Sequence, residues 1–384
     1  MTTPDGAPRA GELADGAPRA GAPAYGAPRT GASTDEPADG APRAGAPAYG
    51  APRTGASADE PADGAPRTGA STDEPADGAP PGPVRVGRIE FVNCFPLYHH
   101  FERELSARGV AATIVEGYPA ALNEMLVSGA IDVALPSSIA FARDAAELAL
   151  LPQVSISSFG AVDSVQLFTR VPLHDVRRIA LTEKSATSIC LLKVLCREWG
   201  LEPEFAPRRG SLAEVLADFD GLLLIGDEAL YVLRAEVYPH HYDLGAEWQK
   251  VTGLPMVFAV CAARRALTAA RPAAAAAVGA ALLASRDDCA AHPAETAAAA
   301  AQRYDFSQRF LVEYFDKLKF GFTPEYRAGL EEFYRRAAAI GELEGIPDVG
   351  AAAAPAAAAA AVPAVDATAA PTDASPTAGP AGAD

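Results

Sequence analysis

An α/β fold in two lobes is predicted for the body of the chain by three observations. Short strands alternate with helices from Val84 onward. The strand Gly221-Leu222-Leu223-Leu224-Ile225 has no polar face, so it needs cover on both sides. The strand-helix alternation runs through twice and ends in a helical stretch from Leu267 to Tyr334. The chain is expected to leave the first lobe near residue 170 and return near 255. That makes residues 84–170 plus 256–348 lobe 1 and 171–255 lobe 2.

Each element has a local reason. Val84 to Val92 alternates apolar and polar residues as a strand, runs into Asn93-Cys94-Phe95-Pro96 and is ended by the proline. A helix from about Leu97 to Arg108 and a strand around Ala112 to Glu116 follow. Pro119 opens a helix with Leu122, Met125 and Leu126 on one face, and Gly129 stops it. Ile131 to Leu135 is a third short strand closed by Pro136, with Ser137-Ser138 opening the next helix. Strands are then expected at Ser164–Thr169, Arg178–Thr182, Gly221–Ile225 and Leu254–Cys261, and helices at Ile189–Trp199 and Glu228–Arg234. Such a pattern gives mainly parallel sheets, with binding loops at the carboxyl ends of the strands.

The tails differ in kind. Of the 384 residues, 33 are Gly and 33 are Pro, and they gather in residues 1–83 and 349–384. Residues 14–37 repeat as 38–61 with only Thr34 replaced by Ala58, and each unit offers one aromatic, Tyr25 or Tyr49, and no branched aliphatic residue to bury. Both tails are expected to be disordered, the first as a spacer or a neutral repeat expansion.

The formal charge is −17, and the body shares the acidic balance, which argues against nucleic acid or an anionic membrane as partner. No apolar run is long enough to span a bilayer, and the opening Met1-Thr2-Thr3-Pro4-Asp5 lacks the basic and apolar regions of an export signal, so a cytoplasmic location is expected. The 5 cysteines form no C-x-x-C pair and are expected to be free thiols. Phosphate-loop, dinucleotide, esterase and zinc-protease motifs are missing from the sequence, and His99-His100 and His240-His241 lack the spacing that places two ligands on one helix face. No cofactor and no metal are expected.

Four places carry candidate chemistry. Ser185, Thr187 and Ser188 put three hydroxyls at the start of a helix, where free N–H groups and the dipole favour a carboxylate or phosphate; alternatively one of them merely caps the helix. Asn93 stands at the carboxyl end of the first strand, as a site residue or as a turn residue bonding its own backbone. Ser164 reads as a site residue or an ordinary strand residue. Asp227 follows Gly226 and fits a helix cap.

The strings VGRIEFVNCFPLY (86–98), the stretch through Ser164, LTEKSATS (181–188), LLLIGDEAL (222–230) and YDLGAEWQKVTGLPMVFAV (242–260) resemble, in order and spacing, the chorismate dehydratases of the futalosine route to menaquinone. The resemblance covers Val84 to about Val349. It implies the two-lobed fold of type II periplasmic binding proteins, with the ligand cleft between the lobes. It also implies a hydro-lyase that converts chorismate to 3-[(1-carboxyvinyl)oxy]benzoate and water. Asn93 and Ser164 match the family's asparagine and active-site serine, and neither is a base at neutral pH. The expected chemistry has the enolpyruvyl carboxylate of the substrate take the C3 proton. Asn93 and Ser164 orient that carboxylate and support the departing C4 hydroxyl, while Ser185, Thr187 and Ser188 hold a carboxylate. Cys261 and the stretch Leu135–Ser138 depart from the family's pattern. The alternatives are a 1,4-dihydroxy-6-naphthoate synthase-like enzyme and a non-catalytic receptor for a small anion.

Overall fold

The computed structural model describes residues 82–350 apart from 211–214 and 216–217. The tails expected to be disordered lie outside the described residues, except for their inner ends at Gly82–Pro83 and Val349–Gly350.

Among the described residues ten strands form two five-stranded sheets. The first has the order β2-β1-β3-β10-β4, from β1 (Val84–Ile89), β2 (Ala112–Gly117), β3 (Val133–Ala134), β4 (Leu148–Ser158) and β10 (Met256–Arg264). The second has the order β7-β6-β8-β5-β9, from β5 (Val165–Thr169), β6 (Arg178–Leu181), β7 (Glu204–Pro207), β8 (Gly221–Ile225) and β9 (His240–Asp243). In the first sheet β1 runs parallel to β2 and β3, and β10 runs antiparallel to β3 and β4. The second sheet repeats this plan: β6 is parallel to β7 and β8, and β5 is antiparallel to β8 and β9.

The chain crosses between the sheets earlier than the sequence predicts. All five residues of β5 are buried between β8 and β9, which places this strand inside the second sheet. The outward crossing therefore falls between Ser158 and Val165 rather than near 170, and the return falls between Asp243 and Met256. Three strands lie where none is predicted: β4, β7 and β9, each at the edge of its sheet. Edge strands pair on one side only and tolerate Pro152 and the polar run His240–Asp243.

Twelve helices connect and flank the strands among the described residues: α1 (Phe95–Tyr98), α2 (Phe101–Ala107), α3 (Pro119–Ser128), α4 (Ser138–Arg143), α5 (Ala186–Glu198), α6 (Gly226–Ala235), α7 (Leu244–Thr252), α8 (Arg265–Ala270), α9 (Pro272–Ala291), α10 (Pro293–Arg303), α11 (Gln308–Lys317) and α12 (Pro324–Ala339). The punctuation is chemical. Pro119 occupies the first turn of α3, and Gly129 ends it at φ 82°. Asp243 caps α7 by accepting from the N–H groups of Gly245 and Ala246, and Gly253 ends it at φ 73°. The core runs through both lobes, with Trp248, Phe141, Phe333 and Tyr334 at most 2% exposed. None of the described helices is long and apolar enough to cross a membrane.

Candidate active site

The carboxyl ends of β1, β3, β6 and β8 open on one cleft with about 540 Å³ of space, part of it shared with solvent. Asn93 follows β1, Ser137 follows β3, Ser185 follows β6 and Gly226 follows β8; all four line this cleft, with Ser164 at the start of β5. Between these polar groups the walls are apolar, with Phe91, Leu135, Ile156, Val162, Ile225 and Phe258 among them. Of the sequence-predicted residues, Asn93, Ser164, Ser185 and Ser188 meet here, and Thr187 is not part of the lining.

Asn93 sits in a short 3-10 turn, Val92–Cys94, two residues beyond the end of β1. Its side-chain oxygen accepts from the Cys94 thiol at 3.2 Å, which turns the amide N–H₂ away from that bond and leaves it as the free end of the side chain. Burial pushes the Cys94 thiol far up, so it remains a protonated donor. From the opposite lobe, Asp227 in the first turn of α6 accepts from the N–H of Val92. Asp227 thus reaches the backbone beside Asn93 without lining the cleft, and burial pushes its carboxyl up to about 6.

Ser164 is fixed by its backbone. Its N–H donates to the Val162 carbonyl at 2.7 Å, and its own carbonyl accepts from Gly226 N–H at 2.8 Å. The hydroxyl reaches only the Val162 carbonyl, at a long 3.4 Å, and is available to a ligand. Asp163 before it has φ 59°, a left-handed conformation uncommon outside glycine. Asp243 holds that conformation, accepting from the N–H groups of both Val162 and Asp163 and from the Gln166 amide. The Lys317 ammonium pairs with the Asp163 carboxylate. The buried phenol of Tyr314 lies beside Ser164 without meeting hydrogen-bond geometry, and burial pushes its ionisation well up.

Ser185 is the cap residue of α5: its oxygen accepts from the Ser188 N–H at 3.2 Å, and the two hydroxyls lie 3.0 Å apart. Ser185 is therefore a helix cap, and both hydroxyls line the cleft at the helix start. Thr187 is turned elsewhere, with its Oγ1 accepting from Ile139 N–H at 2.9 Å. No Lys, Arg, His, Asp or Glu lines the cleft among the described residues. Lys184 stands just outside it, ion-paired with Glu228 at 3.6 Å and over the Tyr118 ring. The polar groups on the cleft wall are therefore hydroxyls and an amide, with no charged side chain among them.

Sequence reasoning gave Ser137, Cys94 and Asp243 no role of their own. Ser137 stood out only within the stretch Leu135–Ser138 that departs from the family's pattern and as the opening of a helix, Asp243 carried only the signal of a cap residue before a helix, and Cys94 read as one of the free thiols.

Comparison with known proteins places the chain in a family. Residues 84–339 match the family model described as menaquinone biosynthesis. A protein named chorismate dehydratase from Thermus thermophilus is 39% identical over 198 residues, covering 48% of this chain and 70% of that protein. Another of that name from Campylobacter jejuni is 29% identical over 186 residues, covering 47% of this chain and 69% of the relative. Among solved structures, a protein from Archaeoglobus fulgidus superposes with a TM-score of 0.56 at 17% identity, covering 68% of this chain and 98% of its own. The periplasmic aliphatic sulphonate binding protein of Escherichia coli superposes at 0.54 with 16% identity, covering 72% and 98%. At such identities the structures speak for the fold alone, which is that of the periplasmic binding proteins. By the match to the family model over most of its folded body and the identity to the Thermus relative, the chain belongs to the menaquinone biosynthesis family.

Proposed function

We propose that the protein is a chorismate dehydratase, a carbon–oxygen lyase that removes water from chorismate to give 3-[(1-carboxyvinyl)oxy]benzoate. The observation that carries this reading is the meeting of Asn93, Ser164, Ser185 and Ser188 in one largely apolar cleft between the two sheets. The substrate has two carboxylates, a ring and an enol ether, and the cleft offers hydroxyl and amide donors between apolar walls. The relatives named chorismate dehydratase support the same reading.

The chemistry needs positioning more than a strong protein base. The ring carboxylate acidifies the C3 proton through the conjugated double bond, so its removal gives an extended enolate. That enolate expels the C4 hydroxyl and the ring becomes aromatic, which drives the step. Among the described residues the lining has no side chain that ionises near neutral pH, and the Cys94 thiol is held protonated. The enolpyruvyl carboxylate of the substrate itself takes the C3 proton and passes it to the departing C4 hydroxyl, which leaves as water. Asn93 donates to that carboxylate and keeps it over C3, Ser164 donates to the departing hydroxyl, and Ser185 and Ser188 hold the ring carboxylate at the start of α5. A cytoplasmic location goes with this reading, since all five cysteines are buried free thiols.

The test is to incubate the full chain with chorismate and follow ultraviolet absorbance and mass for the loss of one water, with Asn93→Ala beside it. Water loss that disappears in the variant establishes the reaction and its site. Binding of chorismate without water loss would point to a receptor instead, and neither binding nor loss would overturn the substrate.

A further inference from the structure

Helix α4 is capped from outside. Ser137 occupies its cap position with the extended backbone that caps adopt, φ −60° and ψ 145°, yet its hydroxyl makes no capping bond. The N–H that a cap would take, that of Ile139, donates instead to Thr187 Oγ1 at 2.9 Å. Thr187 is 0% exposed and belongs to α5, which follows β6 of the second sheet, whereas α4 follows β3 of the first. One lobe therefore supplies the cap that the other needs.

The consequence falls on Ser137. Its hydroxyl is buried without a hydrogen-bond partner, its residue is 4% exposed, and it lines the cleft. The neighbouring hydroxyl of Ser138 is committed to the Val257 carbonyl at 2.6 Å, so the pair is not simply a polar patch. Buried hydroxyls are nearly always partnered, and a partner that arrives with the ligand accounts for one that is not. A dianion bound where no cation lines the wall makes use of every donor.

We propose that Ser137 is a further substrate-binding residue, donating to a carboxylate oxygen of the substrate, and that Thr187 is the positioning residue that keeps its hydroxyl free by capping α4 from the opposite lobe. This rests on the reading of the cleft as a chorismate site. It also gives Thr187 a different task from the carboxylate contact that the sequence predicts.

The experiment measures KM, kcat and thermal unfolding for the full chain and for Ser137→Ala, Thr187→Val, Thr187→Ser and the Ser137→Ala/Thr187→Val pair, with chorismate as substrate. Ser137→Ala is expected to raise KM about tenfold or more while leaving the unfolding temperature in place, because no capping bond is lost. Thr187→Val strands the Ile139 N–H, draws the Ser137 hydroxyl onto it and raises KM by a similar factor. Thr187→Ser keeps the acceptor and restores KM, and the double variant binds no worse than Ser137→Ala alone. A wild-type KM in Ser137→Ala, with or without a lower unfolding temperature, would overturn the role of Ser137. Fully additive losses in the double variant would overturn the link to Thr187. A wild-type chain inert toward chorismate would defeat the functional reading before any variant is compared, and this proposal with it.

Discussion

The carboxylate of Asp227 accepts the backbone N–H of Val92 at 2.9 Å, so the first turn of α6 holds the residue that precedes Asn93 across the cleft. A charged group at this place is costly, because burial outweighs both the single N–H and the attraction of Lys184 and pushes the carboxyl up to about 6. The folded chain keeps this proton where the unfolded chain, with its carboxyl near 3.8, has released it. Stability from the neutral acid is present below the unfolded value and is lost as the pH rises through about 6, on the order of 3 kcal/mol in all. Asp227→Asn keeps an acceptor for Val92 and does not ionise. It is expected to be more stable than the wild type at about pH 7.5 and to lack the decline between about pH 4 and 6.5. Thermal unfolding across that range decides the matter, and parallel profiles for the two proteins would count against it.

Gly226 has φ 62°, and a Cβ there would stand 3.0 Å from the Phe91 ring on the cleft wall. Gly226→Ala is expected to lose about 1–2 kcal/mol for the left-handed backbone and to press Phe91 into the cleft. Urea unfolding reads the first effect. A rise in KM with a smaller change in kcat reads the second.

Because the Cys94 thiol bonds the Asn93 oxygen, it sets which end of the amide is free. Cys94→Ala is expected to lower kcat severalfold with KM nearly unchanged, and Cys94→Ser to recover most of it, as fits a weak donor. Equal kcat in all three proteins would show that the amide is oriented by something else.

Asp243 gathers the N–H groups of Val162, Asp163, Gly245 and Ala246 and the amide of Gln166 on one carboxylate. Removing it in Asp243→Ala strands these donors at the outward crossing and is expected to cost about 3–5 kcal/mol in urea unfolding. Ser164 directly follows this knot, so kcat of the folded fraction is expected to fall at least tenfold. Near-normal kcat would mean that Ser164 is placed by β5 alone.

Much of the frame is legible in the sequence because it is written in local patterns. The apolar run of β8, the proline and glycine that bracket α3, and the hydroxyl that caps α5 each carry their own physical reason. β4 was hidden by Pro152 and its serines, and β9 by its polar residues, because what holds an edge strand is its neighbour and not its own composition. At the site, Asn93 and Ser188 could be placed from strand ends and helix starts. Thr187 and Ser137 could not be told apart from ordinary helix-start residues. Their difference is a single hydrogen bond between residues 139 and 187, which no local pattern records.

Ser158 and Met256 face each other as partners in the ladder between β4 and β10. In topological terms the whole second lobe is a hairpin loop, inserted between two adjacent strands of the first. If residues 159–255 stayed unstructured, pairing these two strands would have to close a loop of that length, an entropic cost of roughly 4 kcal/mol. Once the inserted sheet has formed, its ends are already drawn together and most of that cost has been met within the insert. The pairing that adds the edge strand β4 to the first sheet thus becomes a late event in assembly, one that waits for the guest domain to complete its host.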